Sequence, residues 1–465
     1  MKMKRVLFIG FGSLGLFVGI AGMCGWSGAR VFRRIMNNEL RVMNGDFKLF
    51  KWCISGVPVI GDIENLINGK TYYVLLQNNY ELRATGGFMG SYAKISTERG
   101  IKEIKIQDIY VPDGQIAGHV EPPYPIQEAF RIGNWWLRDS NWDPDFASAA
   151  ATVAWFLDQG GEPSADGVVA VNQLVVLQLL KVLGPIEVKD YGKTVTEQNF
   201  YSLAQTNAEW GWFPGSSGKR DFLGAVSKEM IEKVKKINLI GLINLIDLMN
   251  EQLRRKQVLV WMRDGQLETA IGRLGWGGRL EDEWDKNSDY MYIVESNLGA
   301  NKANCCVTRL IDQEVSGGDE KVTVTWKNGG DYRHPLPPVF WGGDYRNYVR
   351  VVIPSSHNVK AVKMGDRVLR KAGPEDFATA NSLRQSMTDD MYVVEPRGEL
   401  QIIGFWVIVS VGEKVRAEIE YKSVRAGEYK ILVKRQPGIE GFDYKLTVDD
   451  KVKVDEFVDQ DIWIK

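Results

Sequence analysis

The stretch GVVAVNQLVVLQLLKVLGPIEV, residues 167–188, decides the fold class. Gly167 to Val171 is a run of small and β-branched apolar residues, the texture of a strand buried on both faces. Asn172 stands where a helix N-cap belongs. Gln173 to Leu183 reads as helix, and Gly184-Pro185 stops it. Glycine accepts the left-handed conformation past a helix end, and proline does not continue the helix. Ile186 to Val188 reads as a further strand. Strand, helix and strand in such quick succession are the alternation of an α/β fold.

Outward from this core the same texture continues. Lys70 to Gln77, Phe88 to Ser96 and Ile101 to Ile109 read as strands, with loops at Gly86-Gly87, Pro112-Asp113-Gly114 and Pro122-Pro123. Asp145 to Gln159 has a helical apolar side in Ala149, Val153, Phe156 and Leu157, and Asp143-Pro144-Asp145 can cap its start. Asp221 to Lys236 reads as an amphipathic helix, followed by a second one to about Lys256. The fold class expected is therefore α/β for residues 60–296. Beyond Asn297 the periodicity changes to two. Lys321–Trp326, Tyr348–Val352, Val415–Tyr421, Tyr429–Val433 and Tyr444–Val448 alternate polar and apolar residues between turn signals. That pattern predicts a C-terminal antiparallel β-sandwich over residues 297–465.

The N-terminus is different in kind. Lys2, Lys4 and Arg5 precede 24 uncharged residues that end at Arg30. As a helix this run spans roughly 36 Å, enough for a hydrocarbon core of about 30 Å. Residues 1–30 are therefore expected to form a short cytoplasmic tail and a transmembrane helix, and residues 31–59 a basic juxtamembrane helix and linker. Ser27-Gly28-Ala29 offers the competing reading of a cleaved signal peptide. Positive charge flanks both ends of the run, so charge alone does not orient it. The short tail places the bulk of the chain outside, which predicts a single-pass cell-membrane protein with its partner lipid bilayer at residues 6–29.

Composition narrows the function classes. Lys plus Arg number 58 and Asp plus Glu 59, so no overall field attracts nucleic acid. The cysteines are Cys24, Cys53 and the adjacent Cys305 and Cys306, which have neither metal-ligand spacing nor a partner pair. Neither a zinc site nor a disulfide framework is expected from them. The histidines are His119, His334 and His357, which gives no Ser-His-Asp arrangement and no obvious histidine base. Fifteen tryptophans, several between Trp135 and Trp155, are either core or the lining of a carbohydrate- or lipid-facing groove.

Three segments carry candidate chemistry. Gln77 to Tyr92, with Asn78, Arg83 and Gly86-Gly87, is a polar glycine-rich connection whose amides and planar guanidinium suit a phosphate or carboxylate. The alternative is a loop whose polar groups satisfy one another. Trp135 to Phe146 holds Arg138, Asp139, Asp143 and Asp145 among aromatics. Its carboxylates either cap the next helix or, with a phosphate, hold Mg²⁺. Gly215 to Asp221 places Lys219 and Arg220 where a helix starts, an anion site or a solvated loop. The metal candidates are Asp139 and Asp143. The substrate-binding candidates are Asn78, Arg83, Arg138, Lys219 and Arg220.

Asn78 to Gly90, Leu137 to Phe146 and Gly167 to Ile186 together resemble the bacterial family called domain of unknown function 4012. The resemblance extends to Lys219–Glu229, Asn297–Asn304 and Tyr429–Gly438. Its most specific part is Asn78-Asn79-x-Glu81-Leu82-Arg83-x-Thr85-Gly86-Gly87-Phe88. Asp166 to Asn172 and Leu179 to Val188 are also similar to the LytR-CpsA-Psr ligases, which transfer glycopolymers from polyprenyl-pyrophosphate carriers to peptidoglycan. That similarity implies a LytR-CpsA-Psr-like α/β domain in which Arg83 and Arg220 clamp a pyrophosphate. It implies Arg138 as a third cation and Asp139 as a metal ligand or base, so that Asp139, Arg83 and Arg220 would be catalytic. The ligases' Pro-Arg-Asp is replaced here by Val111-Pro112-Asp113, and Ala84-Thr85 follows Arg83 in place of an acid. The expectation is an extracytoplasmic envelope protein that transfers or binds polyprenyl-pyrophosphate-linked glycans beside peptidoglycan. The alternative is a non-enzymatic adhesion or scaffold protein.

Overall fold

The computed structural model describes residues 69–98, 101–209, 218–331, 342–373, 376, 389–423 and 428–465. The expected transmembrane and juxtamembrane helices lie outside them. Among the described residues no helix is long and apolar enough to cross a membrane.

The described chain divides into two compact units. The first comprises residues 69–78 with Met89–Gly118 and Asp145–Asp282. Its sheet contains β1 (Thr71–Asn78), β2 (Phe88–Thr97), β3 (Ile101–Asp108), β4 (Gly167–Asn172) and β7 (Val258–Met262) in the order β3-β2-β1-β4-β7. Between β4 and β7 lies a small ribbon of β5 (Ile186–Val188) and β6 (Lys193–Val195). The sheet is mixed: β1 and β4 run parallel, while β2–β3 and β4–β7 are antiparallel. Every residue of β4 is buried, as its unbroken apolar run requires. Val169 and Val171 meet Val175, Leu179 and Leu180 of the helix Gln173–Leu183, with Phe222 and Leu245 from later helices in the same core.

The helix boundaries have identifiable causes. Asp145 caps Phe146–Gln159 by accepting from the Ser148 amide at 3.0 Å, and its other oxygen accepts from the Leu280 amide at 3.0 Å. Gly184 ends Gln173–Leu183 at φ 72°, its amide donating to the Leu180 carbonyl. Asn172 occupies the N-cap position without capping; its side-chain Nδ2 donates instead to Gln257 Oε1 at 3.1 Å.

The second unit is a β-sandwich of two seven-stranded sheets. In chain order its strands are β8 (Asp289–Asn297), β9 (Val307–Ser316), β10 (Asp319–Asn328), β11 (Tyr345–Pro354), β12 (Asn358–Met364), β13 (Arg367–Val368), β14 (Arg370–Lys371), β15 (Met391–Arg397), β16 (Leu400–Val409), β17 (Lys414–Lys422), β18 (Ile431–Lys434), β19 (Phe442–Val448), β20 (Lys451–Val458) and β21 (Ile462–Ile464). One sheet runs β13-β12-β17-β10-β9-β19-β20 and the other β14-β15-β16-β11-β8-β18-β21. Trp326, Val324, Tyr345, Ile403 and Phe405 fill the core between them.

Two expectations need correction here. The sandwich is not purely antiparallel, because β18 runs parallel to β8, β19 parallel to β9 and β14 parallel to β15. Strands late in the chain join strands formed much earlier, and alternation of side chains does not encode direction. Furthermore, the second unit contains Asn79–Phe88 and His119–Pro144, and its first strand starts at Asp289. These segments join the sandwich through polar contacts and through Leu82 and Ile126, none of which local periodicity registers.

Candidate functional site

The Arg83 loop begins where β1 ends. Leu82 is fully buried in the sandwich core. Its amide donates to Asn304 Oδ1 at 3.1 Å and its carbonyl accepts from the Asn297 amide at 2.9 Å. Asn79 Nδ2 donates to the Gly438 carbonyl at 2.8 Å. Gly438 has φ +90°, and a Cβ there would stand 2.0 Å from the Gly86 carbonyl oxygen. Paired glycines thus let two backbones touch.

Arg83 is 1% exposed. Nη1 donates to the carbonyls of Asn297 at 2.5 Å and Leu82 at 3.2 Å. Nη2 donates to Glu81 Oε1 at 3.1 Å and Asp139 Oδ1 at 3.3 Å. The guanidinium also lies 5.5 Å from the Phe88 ring centroid. Asn141 Nδ2 bonds Thr85 Oγ1 and the Gly87 carbonyl, and Gln436 Nε2 bonds the carbonyls of Arg83 and Glu295. Glu295, also buried, receives Arg309, Tyr345 and Asn347. Burial first, and then the Glu295 charge, push the Tyr345 phenol well above its ordinary range. Loop 79–88, the 137–141 turn, the 297–304 loop and the 436–438 turn are therefore tied in one buried polar node.

Four of the expected site residues fall in this second unit. Arg138 is a quarter exposed, lies over the Trp136 ring at 5.4 Å and has Nε 3.7 Å from Asp139 Oδ2. Arg83 and Arg138 thus both address Asp139. Asp143 instead binds Arg397 Nη2 through both oxygens, at 3.0 and 2.9 Å. The remaining residues lie in the first unit. Asn78 is the last residue of β1. Arg220 sits in the helix Gly218–Lys235, paired to its neighbour Asp221 at 2.9 Å and about two-fifths exposed. The Lys219 side chain and residues 215–217 lie outside the described residues.

Asp139 and Asp143 do not fit Mg²⁺. Each carboxylate already faces guanidinium groups, so a hard cation would have to displace fixed positive charge. The tryptophans of this region differ in burial: half-buried Trp142 packs on Tyr348 at 5.8 Å, as does buried Trp406 at 5.2 Å, whereas Trp155 is exposed. Arg350 lies 4.0 Å above the Trp142 ring, and burial pulls its pKa down to about 10.

Two features escaped the sequence reading. Cys305 and Cys306 are bonded to each other. Asp289, Glu320 and His357 form a buried group whose ligand-capable atoms all lie within 4.8 Å of one another. Burial, then the facing Asp289, push the Glu320 carboxyl well above the usual carboxylate range. These three residues stand on separate strands and turns, so no spacing motif joins them. A histidine in the β region was the one available signal.

Residues 68–208 match the family model described as Protein of unknown function (DUF4012). No curated protein matches the chain. Among solved structures it is similar to the Lin1025 protein of Listeria innocua, at 14% identity over 45% of this chain and 80% of that one, with a TM-score of 0.25. Transcriptional regulator EF0465 of Enterococcus faecalis is similar at 12% identity over 45% and 72%, with a TM-score of 0.26. The putative transcriptional regulator ywtF of Bacillus subtilis gives 13% identity over 39% and 75%, with a TM-score of 0.23. Likeness at this level transfers neither fold nor function.

Proposed function

We propose that this chain, whose residues 68–208 match the DUF4012 family model, is a membrane-anchored, extracytoplasmic protein of the bacterial envelope that serves as a scaffold or adhesion module. In this reading residues 6–29 anchor it in the bilayer, and the two units stand outside. The observation that carries the non-enzymatic role is Arg83. A pyrophosphate clamp needs donors open to the ligand, whereas both terminal nitrogens of Arg83 are spent on four internal acceptors at 1% exposure. The same arginine explains why the most specific part of the family signature is polar yet buried.

Glycopolymer transfer from a polyprenyl-pyrophosphate carrier to peptidoglycan is the second reading. One observation favours it: β4, the helix Gln173–Leu183 and β5 reproduce the strand-helix-strand passage that resembles the LytR-CpsA-Psr ligases. Arg220 retains exposed surface for such a substrate.

Lipid analysis of the full-length chain extracted from its own membranes separates the two. The scaffold reading predicts no polyprenyl-phosphate species above those of an unrelated single-pass control. Stoichiometric polyprenyl lipid that is lost in Arg220→Ala, at unchanged thermal stability, would overturn it. Arg220 suits the test because its side chain is partly exposed and supports no buried network.

A further inference from the structure

We propose that Asp289, Glu320 and His357 form a binding site for one divalent transition cation, of the zinc type, between the two sheets of the sandwich. The proposal goes beyond the scaffold reading and does not depend on it. Asp289 opens β8 in one sheet, Glu320 lies near the start of β10 in the other, and His357 stands in the turn before β12. The three are 4%, 2% and 6% exposed. Their ligand atoms lie within 4.8 Å of one another, and Asp289 Oδ1 is already 3.0 Å from His357 Nε2. Zinc bonds of about 2.0–2.2 Å set neighbouring ligand atoms roughly 3.3–3.5 Å apart, so the group needs to close by at most about 1.4 Å at its widest.

An independent observation points to a missing partner. Glu320 Oε1 is buried without any hydrogen-bond donor. No lysine or arginine is among the described hydrogen-bond or ion-pair partners of Asp289 and Glu320. A divalent ion would displace the proton that two facing buried acids otherwise share and hold both as carboxylates.

The surroundings suit a metal as well. A ligating carboxylate or imidazole is held in orientation by outer hydrogen bonds. Tyr429 OH donates to Asp289 Oδ2 at 2.7 Å, and Gln313 Nε2 and Tyr421 OH donate to Glu320 Oε2 at 3.0 and 3.2 Å. The His357 ring stacks on Tyr421, and Gln401 Nε2 holds the His357 carbonyl at 2.6 Å. One imidazole with two carboxylates selects zinc, manganese or cobalt over calcium and magnesium, which prefer oxygen alone. Burial on both sides gives the ion a structural role, joining the sheets.

The test uses the full-length chain in detergent, stripped with a chelator and titrated with Zn²⁺ and separately with Co²⁺. Expected are uptake of one ion per chain, a rise in Tm of about 5 °C for the sandwich transition, and loss of that uptake in His357→Gln and Glu320→Gln. Should either variant fail to fold, X-ray absorption on the wild-type Co²⁺ form decides, with one nitrogen among oxygen ligands expected. Absence of stoichiometric uptake by the wild type would overturn the proposal. So would uptake that survives in both folded variants, or an absorption spectrum lacking the imidazole.

Discussion

Replacing Arg83 by Met keeps much of the side-chain volume and removes only the guanidinium. Four hydrogen bonds go with it, and Glu81 and Asp139 lose their nearest cation inside the protein. Asp139 keeps Arg138, but only at 3.7 Å and from a partly exposed side chain. Breaking one side of a buried ion pair costs about 3–5 kcal/mol, because the orphaned charge stays behind. The lost contact with Phe88 adds to this within the same range. Such a loss lowers Tm by roughly 10 °C in a unit of this size. Urea unfolding followed by tryptophan fluorescence gives the midpoint, with fully buried Trp326 as a reporter inside the sandwich. The two units need separate transitions in the fit, since a single two-state curve does not describe a multi-domain chain. The triple variant Arg83→Met, Glu81→Gln, Asp139→Asn is expected to recover most of the loss, as neutral groups no longer demand a counter-charge. A loss below about 1 kcal/mol for Arg83→Met would refute the architectural role.

Three further outcomes follow from particular contacts. Gly438→Ala should prevent the 436–438 turn from seating against Gly86, where its Cβ would stand 2.0 Å from a carbonyl oxygen. Gly161→Ala, with similar positive φ but open space around it, should cost only about 1 kcal/mol in the same denaturation assay. Burial alone would raise the Glu162 carboxyl, yet the Lys94 ammonium and the Tyr92 hydroxyl outweigh it and hold its pKa below the ordinary value. Its contribution is therefore present above the unfolded-state pKa of about 4.5 and is lost as pH falls through the lower folded value. Thermal melts of Glu162→Gln across pH 3–7 should accordingly show a shallower acid limb than the wild type, and parallel limbs would contradict the assignment. Peptide mass spectrometry without reductant should find Cys305 and Cys306 in one peptide lighter by two hydrogens, and alkylation of both without reduction would contradict the bond.

Elements with a local signature were legible, two of them to the residue. The helix Gln173–Leu183 and the strand Ile186–Val188 stand where Asn172 and Gly184-Pro185 placed them. In β17, read from Val415 to Tyr421, Ala417, Ile419 and Tyr421 face the core and the residues between them do not, as a period of two demands. What had no local signature was how the loops fold back. Arg83 to the Asn297 carbonyl and Gln436 to the Arg83 carbonyl join residues far apart in sequence, and no periodicity reports such pairs. The Gly86-Gly87 loop with its arginine was ambiguous for a physical reason. Close approach of two backbones and the cradling of an anion both require glycine and a rigid donor. Burial, which only the folded chain supplies, separates the two: Arg83 faces carbonyls and carboxylates within the sandwich unit. The acid–histidine group at Asp289 was hidden because its members come from both sheets.

Native-state hydrogen exchange addresses the central claim, that the signature loop is part of the sandwich architecture. The amides of Leu82, Phe88, Glu295 and Asn297 donate to Asn304 Oδ1 and to the Glu81 carbonyl, Gln436 Oε1 and the Leu82 carbonyl, respectively. They should exchange only with the global opening of the sandwich, at the same free energy as the amides of β11. Exchange of Leu82 and Phe88 at loop-like rates in the free protein, slowing on addition of a polyprenyl pyrophosphate, would show instead that this loop is a ligand-binding element.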